Sequence, residues 1–177
     1  MPVESPRGPA SPPDAEAWGE RLREAGLRIT AGRVATLTYV DAHPHASVAD
    51  IHAALGRVLP SVSAQSVHNI THDLTERGML RRISLPDATS ALFETRTDDN
   101  HHHAQCVACG RVVDVDCVVG EAPCLTPRHG HGMRLLEAAI TFRGVCDACD
   151  RDRGRDRGAP ASGRQASADH RPHHDSA

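Results

Sequence analysis

Apolar side chains recur at helical spacing through the first half of the chain and predict four helices. The first helical pattern stops at Gly26. Thr30, Ser47 and Ser63 precede the second, third and fourth patterns, and each can cap a helix through its side-chain oxygen. Gly78 follows the fourth pattern and suits the position just past a helix C-terminus. These residues therefore predict where the helices begin and end.

The spacing then changes to alternation, which is typical of strands. "MLRRISL" (79–85) and "SALFET" (90–95) flank the turn-forming segment "PDAT" (86–89), so a two-stranded hairpin is predicted. Three short helices followed by a hairpin is the layout of a winged helix-turn-helix. The helix after Ser63 would then enter the DNA major groove, and the hairpin would be the wing. The same layout also serves protein docking, so it does not decide the function alone.

The second half of the chain continues with strand-like patterns. "RVVDVDC" (111–117) alternates valine with aspartate, so the two residue types face opposite sides of a strand. "LLEAAITF" (135–142) places an apolar side chain at every second position. Residues 101–150 are too few to close a core alone. This unit is therefore predicted to complete its core against a second copy of the chain, as a homodimer.

Charge gives no general indication of a nucleic-acid partner. The 177 residues carry a formal net charge of -3, and residues 14–96 hold nearly equal numbers of arginines and acidic residues. Contacts to DNA phosphates would then depend on individual arginines of the first half. The candidates are Arg28, Arg33, Arg57, Arg77, Arg81 and Arg82.

The chain ends and the cysteine content indicate the compartment. There is no apolar run of 18 residues, so no membrane span is expected. The N-terminus lacks the basic start and apolar segment of a secretory signal, and a cytoplasmic location is therefore predicted. Six cysteines in a reducing compartment indicate metal or redox chemistry rather than structural disulfides.

Composition also divides the chain. The first 13 residues are rich in proline, and the sequence from Arg151 onward is charged and then of low complexity. The fold class predicted is α+β, with a winged helix-turn-helix followed by a small α/β zinc-stabilised dimerisation domain. The predicted divisions are a disordered tail (1–13), a DNA-binding domain (14–96), a metal-binding dimerisation domain (97–150) and a disordered tail (151–177).

Two CxxC segments provide a set of four thiols. Cys106 and Cys109 form the first pair, and Cys146 and Cys149 form the second. Paired CxxC motifs can present four sulfur atoms tetrahedrally to zinc, in a closed site with no open ligand position. A structural zinc ion is therefore predicted, although two redox pairs or buried thiols are the alternatives.

The histidines of "NHHHAQC" (100–106) have a different geometry. In an extended segment His101 and His103 face one side and His102 faces the other, so one metal can bind only the first two. Glu94 and Asp114 could supply oxygen ligands. A mixed nitrogen and oxygen set suits iron, manganese, zinc or nickel. The alternative is a histidine-rich surface loop.

A winged helix, the segment "NHHHAQCVACGRVVDVD" and a distant "CDAC" together resemble the ferric uptake regulator family, which comprises dimeric, metal-dependent bacterial transcription regulators. The resemblance spans about residues 15–150. The segment "VDC…GEAPC" resembles the actinobacterial branch that is found beside catalase-peroxidase genes. The resemblance therefore implies a repressor of iron- and peroxide-response genes, with Fe2+ or Mn2+ as the regulatory metal and double-stranded DNA containing an inverted repeat as the partner.

The resemblance also implies roles for individual residues. The four CxxC cysteines match the structural zinc ligands of the family. The implied regulatory-metal ligands are His45, Glu94, His101, His103 and Asp114. Two residues, His102 and Glu121, match part of a further metal site of the family.

The start of the fourth helix holds the residues expected to contact DNA. They are Gln65, Ser66, His68 and Asn69. The family usually carries a tyrosine and an arginine where this chain has His68 and Asn69, so the operator sequence or the phosphate contacts are expected to differ.

The sequence also allows an alternative function and two roles for the cysteines outside the CxxC pairs. Cys117 and Cys124 are either a redox pair or small apolar core residues. A zinc-stabilised protein-interaction adaptor is the alternative function, as is a family member that senses zinc, manganese or nickel. No HExxH or comparable catalytic motif occurs, so no enzyme activity is predicted.

Overall fold

A computed structural model describes residues 14–86, 88–119, 132–134 and 139–158 of the chain. The N-terminal half contains α1 (Ala15–Glu24), α2 (Ala31–Ala42), β1 (Ala46–Ser47), α3 (Val48–Leu55), α4 (Ala64–Glu76), β2 (Arg81–Ile83) and β3 (Leu92–Glu94). The C-terminal half contains β4 (His101–Cys106), β5 (Val112–Asp116), β6 (Thr141–Gly144) and α5 (Asp147–Gly158).

Side-chain caps begin α2, α3 and α4 at the three predicted residues. Thr30, Ser47 and Ser63 each accept a hydrogen bond from a backbone N–H in the first turn of the helix that follows. At α3 the cap is reciprocal, because the backbone N–H of Ser47 also donates to the Asp50 carboxylate at 3.0 Å. Gly78 follows α4 with a φ of 68°, a left-handed conformation that glycine adopts without steric cost. The four predicted helices are confirmed.

The wing contains one strand more than the sequence predicts. β2 and β3 pair in antiparallel fashion as expected, but β1 pairs with the other edge of β3, through Ala46 opposite Phe93. A two-residue strand has no sequence pattern of its own and depends on its neighbour for its hydrogen bonds. The pairing places His45, the residue just before β1, next to the end of β3, where Glu94 lies.

One apolar core holds the helices and the wing together. Its largest buried side chains come from every helix of this half and from β3. They include Trp18, Leu22, Leu37, Ile51, Leu74 and Phe93. Burial of a large apolar side chain stabilises the folded state by roughly 1.5–3 kcal/mol. The N-terminal half can therefore present α4 on a rigid support.

The second sheet has β4 at its centre, with β5 antiparallel on one side and β6 parallel on the other. Within the described residues, this sheet leaves apolar side chains exposed, with Phe142 50% exposed and Val113 40% exposed. An open apolar sheet face of this kind agrees with the prediction that the unit completes its core against a second copy. Positions 135–138 of the predicted strand "LLEAAITF" lie outside the described residues.

The structured part of the second domain extends further toward the C-terminus than the sequence predicts. The sequence places a disordered tail from Arg151 onward, whereas α5 continues to Gly158. Asp147 and Asp150 lie in its first turn, where a carboxylate interacts favourably with the helix dipole. The predicted disorder of 1–13 and of 159–177 falls outside the described residues. Across the described part of the chain, no helix is long and apolar enough to cross a membrane.

Candidate metal centres

The two CxxC segments bring four sulfur atoms together at one end of the second sheet. Cys106 ends β4 and Cys109 lies in the turn after it, while Cys146 directly precedes α5 and Cys149 lies in its first turn. The four Sγ atoms are all within 4.8 Å of one another, and those of Cys109 and Cys146 are 3.9 Å apart. Zinc with Zn–S bonds of about 2.3 Å places tetrahedral sulfur ligands about 3.8 Å apart. The four residues therefore fit one zinc ion.

The surroundings of the cysteines favour negative charge on the sulfur atom of Cys106 and a proton on that of Cys149. The backbone N–H of Cys146 donates to Cys106 Sγ at 3.3 Å. This bond, with those from the N–H groups of Cys109 and Ala108, lowers the pKa of Cys106 to about 6. Hydrogen bonding to Cys146 and Cys109 raises the pKa of Cys149 to about 12. A bound cation would take the place of the protons that such a set retains.

A second donor set lies where the two halves of the protein meet. His45 and Glu94 come from the N-terminal half, whereas His103 in β4 and Asp114 in β5 come from the second sheet. One ligand atom from each residue lies within 4.8 Å of those of the other three. His103 and Asp114 are directly opposite in the β4–β5 pairing. Two imidazole nitrogens and two carboxylate oxygens form a set that suits divalent first-row metals.

Hydrogen bonds between the imidazoles and carboxylates of this set shift two pKa values. Burial alone would raise the pKa of Glu94, but hydrogen bonds to His103 and His45 outweigh it and lower the pKa to about 2. Burial alone would lower the pKa of His45, but hydrogen bonds to Glu94 and Asp114 raise it above its usual value. A proton on His45 and a metal cation would therefore compete for the same position.

His101 lies beside this donor set rather than within it. Its ring is 5.0 Å from that of His103, on the same face of β4, as the alternation predicts. Its Nε2 lies 2.9 Å from Glu94 Oε1, and its Nδ1 lies 2.8 Å from Asp99 Oδ1. Both nitrogens therefore contact carboxylates. A role for His101 as a ligand stays a prediction, and it would require the ring to exchange one of these contacts for the metal.

His102 faces the opposite side of β4, also as predicted. Its buried ring packs 6.4 Å from that of Phe142. Glu121, its predicted partner in a further metal site, lies outside the described residues, as does Cys124. Cys117 is half-buried after the end of β5. The further metal site and the question of a Cys117–Cys124 redox pair therefore stay predictions.

The backbone of His45 is unusual. Its φ is 64°, and it is the one residue other than glycine in the described chain with a positive φ. A left-handed conformation is uncommon for residues other than glycine and is found where surrounding contacts fix it. Its ring edge faces His103 at a centroid distance of 5.4 Å. Only the family resemblance predicts His45 as a metal ligand, because the local sequence pattern gives no sign that this turn faces β4 and β5.

The predicted DNA-contacting residues lie on the exposed face of α4. Gln65, Ser66, His68 and Asn69 are all exposed. The Gln65 side-chain amide donates to Asn69 Oδ1 at 2.9 Å, so these two side chains form a preordered pair. Ser66 lies in the first turn, next to the capping Ser63. This exposed surface could enter the major groove of DNA. Contact between these residues and the bases stays a prediction.

Three of the arginines proposed for phosphate contact have other partners. Arg33 pairs with Asp73 at 2.6 Å, and Arg77 donates to the Ala25 carbonyl at 3.2 Å. Arg81 lies at the metal set, with its guanidinium beside Glu94. The sequence could not assign these partners, since each depends on tertiary contacts. The exposed arginines that remain candidates are Arg28, Arg57 and Arg82.

A model of the Ferric uptake regulator family matches residues 24–142. The transcriptional regulator FurA of Mycobacterium tuberculosis is 47% identical over 132 residues, which cover 75% of this chain and 89% of that protein. The peroxide operon regulator of Bacillus subtilis is 32% identical over 133 residues, covering 75% and 90% respectively. The ferric uptake regulator of Helicobacter pylori, a structure with three functional metal binding sites, superposes with a TM-score of 0.60 at 16% identity, covering 78% of this chain and 95% of that one.

The family match and these relatives identify a metal-dependent transcriptional regulator, not an enzyme, and the donor set between the two sheets agrees with that class. The chain belongs to the ferric uptake regulator family. Regulators of this family bind DNA and act as dimers. Both the predicted α+β fold class and the predicted family are confirmed.

Proposed function

We propose that this protein represses iron- and peroxide-response genes, such as those for catalase-peroxidase, when a regulatory metal is bound between its two halves. The metal would be Fe2+ or Mn2+. Two relatives support this assignment by name, a FurA regulator and a peroxide operon regulator. A cytoplasmic location is part of the proposal, since both the metal and the DNA are found there.

One observation carries the proposal. His45 Nε2, which belongs to the winged-helix half, lies 2.7 Å from Asp114 Oδ1, which belongs to the second sheet. A metal that binds both atoms would fix the angle between the winged helix and the dimer-forming sheet. In a dimer that angle sets the distance between the two α4 helices, and so determines whether both can enter successive major grooves of an inverted repeat.

The cysteine set would have a separate, permanent role. Zinc held by Cys106, Cys109, Cys146 and Cys149 would join β4 to the start of α5 and close the end of the second sheet. Because a closed four-thiolate site has no open position, it would stabilise the fold without sensing anything. Sensing would therefore fall to the nitrogen and oxygen set.

Peroxide sensing would use the same set. Bound ferrous iron would supply the electron-donating chemistry toward peroxide. The chain contributes imidazole rings as the oxidisable ligands, and His45 and His101 are the candidates. An oxidised His45 ring would donate less well, so the link from the winged helix to β5 would weaken and DNA would be released.

A gel-shift assay with DNA from upstream of the protein's own gene tests the proposal. Zinc-containing protein without other metal should leave this DNA unshifted, and added Mn2+ should produce a specific complex. Iron-loaded protein should then release the DNA after peroxide treatment. A metal-independent shift, or no binding to any inverted repeat, would favour a protein-interaction adaptor instead.

A further inference from the structure

The two oxygens of the Glu94 carboxylate have different partners: one faces the donor set, and the other faces Arg81 and His101. Its Oε2 faces the set, at 3.5 Å from His45 Nε2 and 3.3 Å from His103 Nε2. Its Oε1 faces away, at 3.4 Å from Arg81 Nη1 and 2.9 Å from His101 Nε2. Only one oxygen of this buried carboxylate is therefore directed at the metal position.

The two carboxylate oxygens of Asp114 also have different partners, the imidazoles of the donor set on one side and a second arginine on the other. Its Oδ1 lies 2.7 Å from His45 Nε2 and 3.8 Å from His103 Nε2. Its Oδ2 lies 3.5 Å from Arg96 Nη1, and the other terminal nitrogen of Arg96 binds Asp116 at 2.7 Å. Both carboxylates of the set thus present one oxygen inward and hold the other toward a guanidinium.

The connecting segment between the two halves fixes both arginines. Arg81 Nη2 donates to the backbone carbonyls of Thr97 at 3.3 Å and Asp99 at 2.6 Å. Arg96 Nε donates to Asp99 Oδ2 at 2.7 Å. A guanidinium held by several acceptors is a more rigid partner than a single exposed ion pair, which contributes little by itself.

We propose that Arg81 and Arg96 are positioning residues that hold Glu94 and Asp114 as single-oxygen ligands of the regulatory metal. A carboxylate can bind a cation through one oxygen or through both, and the choice changes the coordination number. Partners that orient ligands in this way affect both the affinity and the geometry of a metal site. Arg96 lies beside the Asp114 oxygen that a second bond to the metal would need, and Arg81 lies with His101 beside the corresponding oxygen of Glu94. The inference rests on the proposed metal site. It states that two residues outside the donor set determine how many ligands the metal has.

A structural role for the arginines, limited to the connecting segment, predicts a different result. Loss of such a role would lower stability without changing how the metal is coordinated. The coordination number itself must therefore be measured. Cobalt(II) is a suitable probe, because its visible absorption bands are intense with four ligands and become weaker as ligands are added.

The experiment uses the full-length, zinc-containing protein titrated with Co2+. The variants are Arg96→Met and Arg81→Met, with Arg96→Lys as the conservative change. Arg82→Met is the matched control, because Arg82 is the exposed neighbour of Arg81 on β2. Zinc content and far-ultraviolet circular dichroism report whether each variant is folded. If Arg81→Met does not fold, Arg96→Met decides the question alone, since Arg96 is 39% exposed and tolerates change more easily.

Wild type, Arg82→Met and Arg96→Lys should give the same visible spectrum. Arg96→Met should lose about half of the band intensity, because the freed Asp114 oxygen adds a ligand. Arg81→Met should lose less, because His101 Nε2 still lies 2.9 Å from Glu94 Oε1. Wild-type spectra in both folded methionine variants would overturn the inference and leave the proposed function intact. A wild-type protein that binds no Co2+ outside the cysteines would overturn the proposed metal site and the inference with it.

Discussion

His45 Nε2 lies 2.7 Å from Asp114 Oδ1, although the two residues are 69 positions apart in the chain. No other imidazole–carboxylate contact among those described joins the winged-helix half directly to β5. The two atoms also belong to the four-residue donor set. Under the proposed function, a proton or a metal cation would occupy the same position, and the identity of the occupant would determine how tightly the halves are joined.

The protonated link should make a pH-dependent contribution to stability in protein that contains zinc but no regulatory metal. Because the pKa of His45 is raised above 6.5, its contribution is fully present below about pH 6.5 and is lost as pH rises through the folded-state value. We expect His45→Ala to lower the melting temperature at pH 6 and to have a smaller effect at pH 8.5. Thermal unfolding at both pH values measures this difference. Equal effects at the two values would contradict the assignment.

Removal of one cysteine should remove the zinc. Cys109→Ser is expected to leave the protein with much less than one zinc ion per chain and to destabilise the second sheet, since the free energy of zinc binding contributes to folding. Cys117→Ser is the matched control, because Cys117 lies outside the four-sulfur set. Elemental analysis and thermal unfolding measure both effects. Full zinc content in Cys109→Ser would refute the four-thiolate assignment.

The exposed face of α4 should determine DNA affinity. Replacing both Gln65 and Asn69 by alanine removes a preordered amide pair, and each lost base contact is expected to cost about 1–3 kcal/mol. Glu76→Ala, at the other end of the same helix, is the control. Fluorescence anisotropy with the operator and with a scrambled duplex separates specific from general binding. An unchanged preference for the operator in the double variant would exclude this face as the reader.

Peroxide should oxidise metal ligands rather than a cysteine pair. Iron-loaded protein treated with peroxide is expected to gain oxygen on His45 or His101 and to release DNA, and Cys117→Ser should respond equally. Peptide mass spectrometry locates the added oxygen. A Cys117→Ser variant that no longer responds, with both histidines unmodified, would assign the response to the thiols.

The features predicted from the sequence are those that local chemistry determines. The helix starts at Thr30, Ser47 and Ser63 need only a side-chain oxygen within the first turn, so they are visible in sequence. The opposite faces of His101 and His102 follow from strand alternation alone. Resemblance was needed for His45, since a turn carries no information about distant partners.

Features that depend on register and on tertiary pairing were not predictable. β1 is too short to leave a pattern and exists because β3 offers an edge. The sequence makes Arg81 one of six candidates for contact with DNA phosphates, whereas its position opposite Glu94 in the β2–β3 pairing directs it to the donor set. The contacts of His101 with Glu94 and Asp99 likewise depend on how the segment between the halves folds back.

The central claim is that a metal bound by His45 and Asp114 controls DNA binding, and the metal response of a His45 variant tests it most directly. Operator affinity is measured by fluorescence anisotropy with and without Mn2+, using zinc-containing wild type, His45→Ala and the control His43→Ala. His43 is an exposed residue of the same turn, where it stacks on Tyr39. Mn2+ should tighten operator binding of wild type and His43→Ala by about 5- to 150-fold, the usual range of coupling between sites. His45→Ala should bind the operator weakly at either metal condition, whereas a full response to Mn2+ in that variant would contradict the claim.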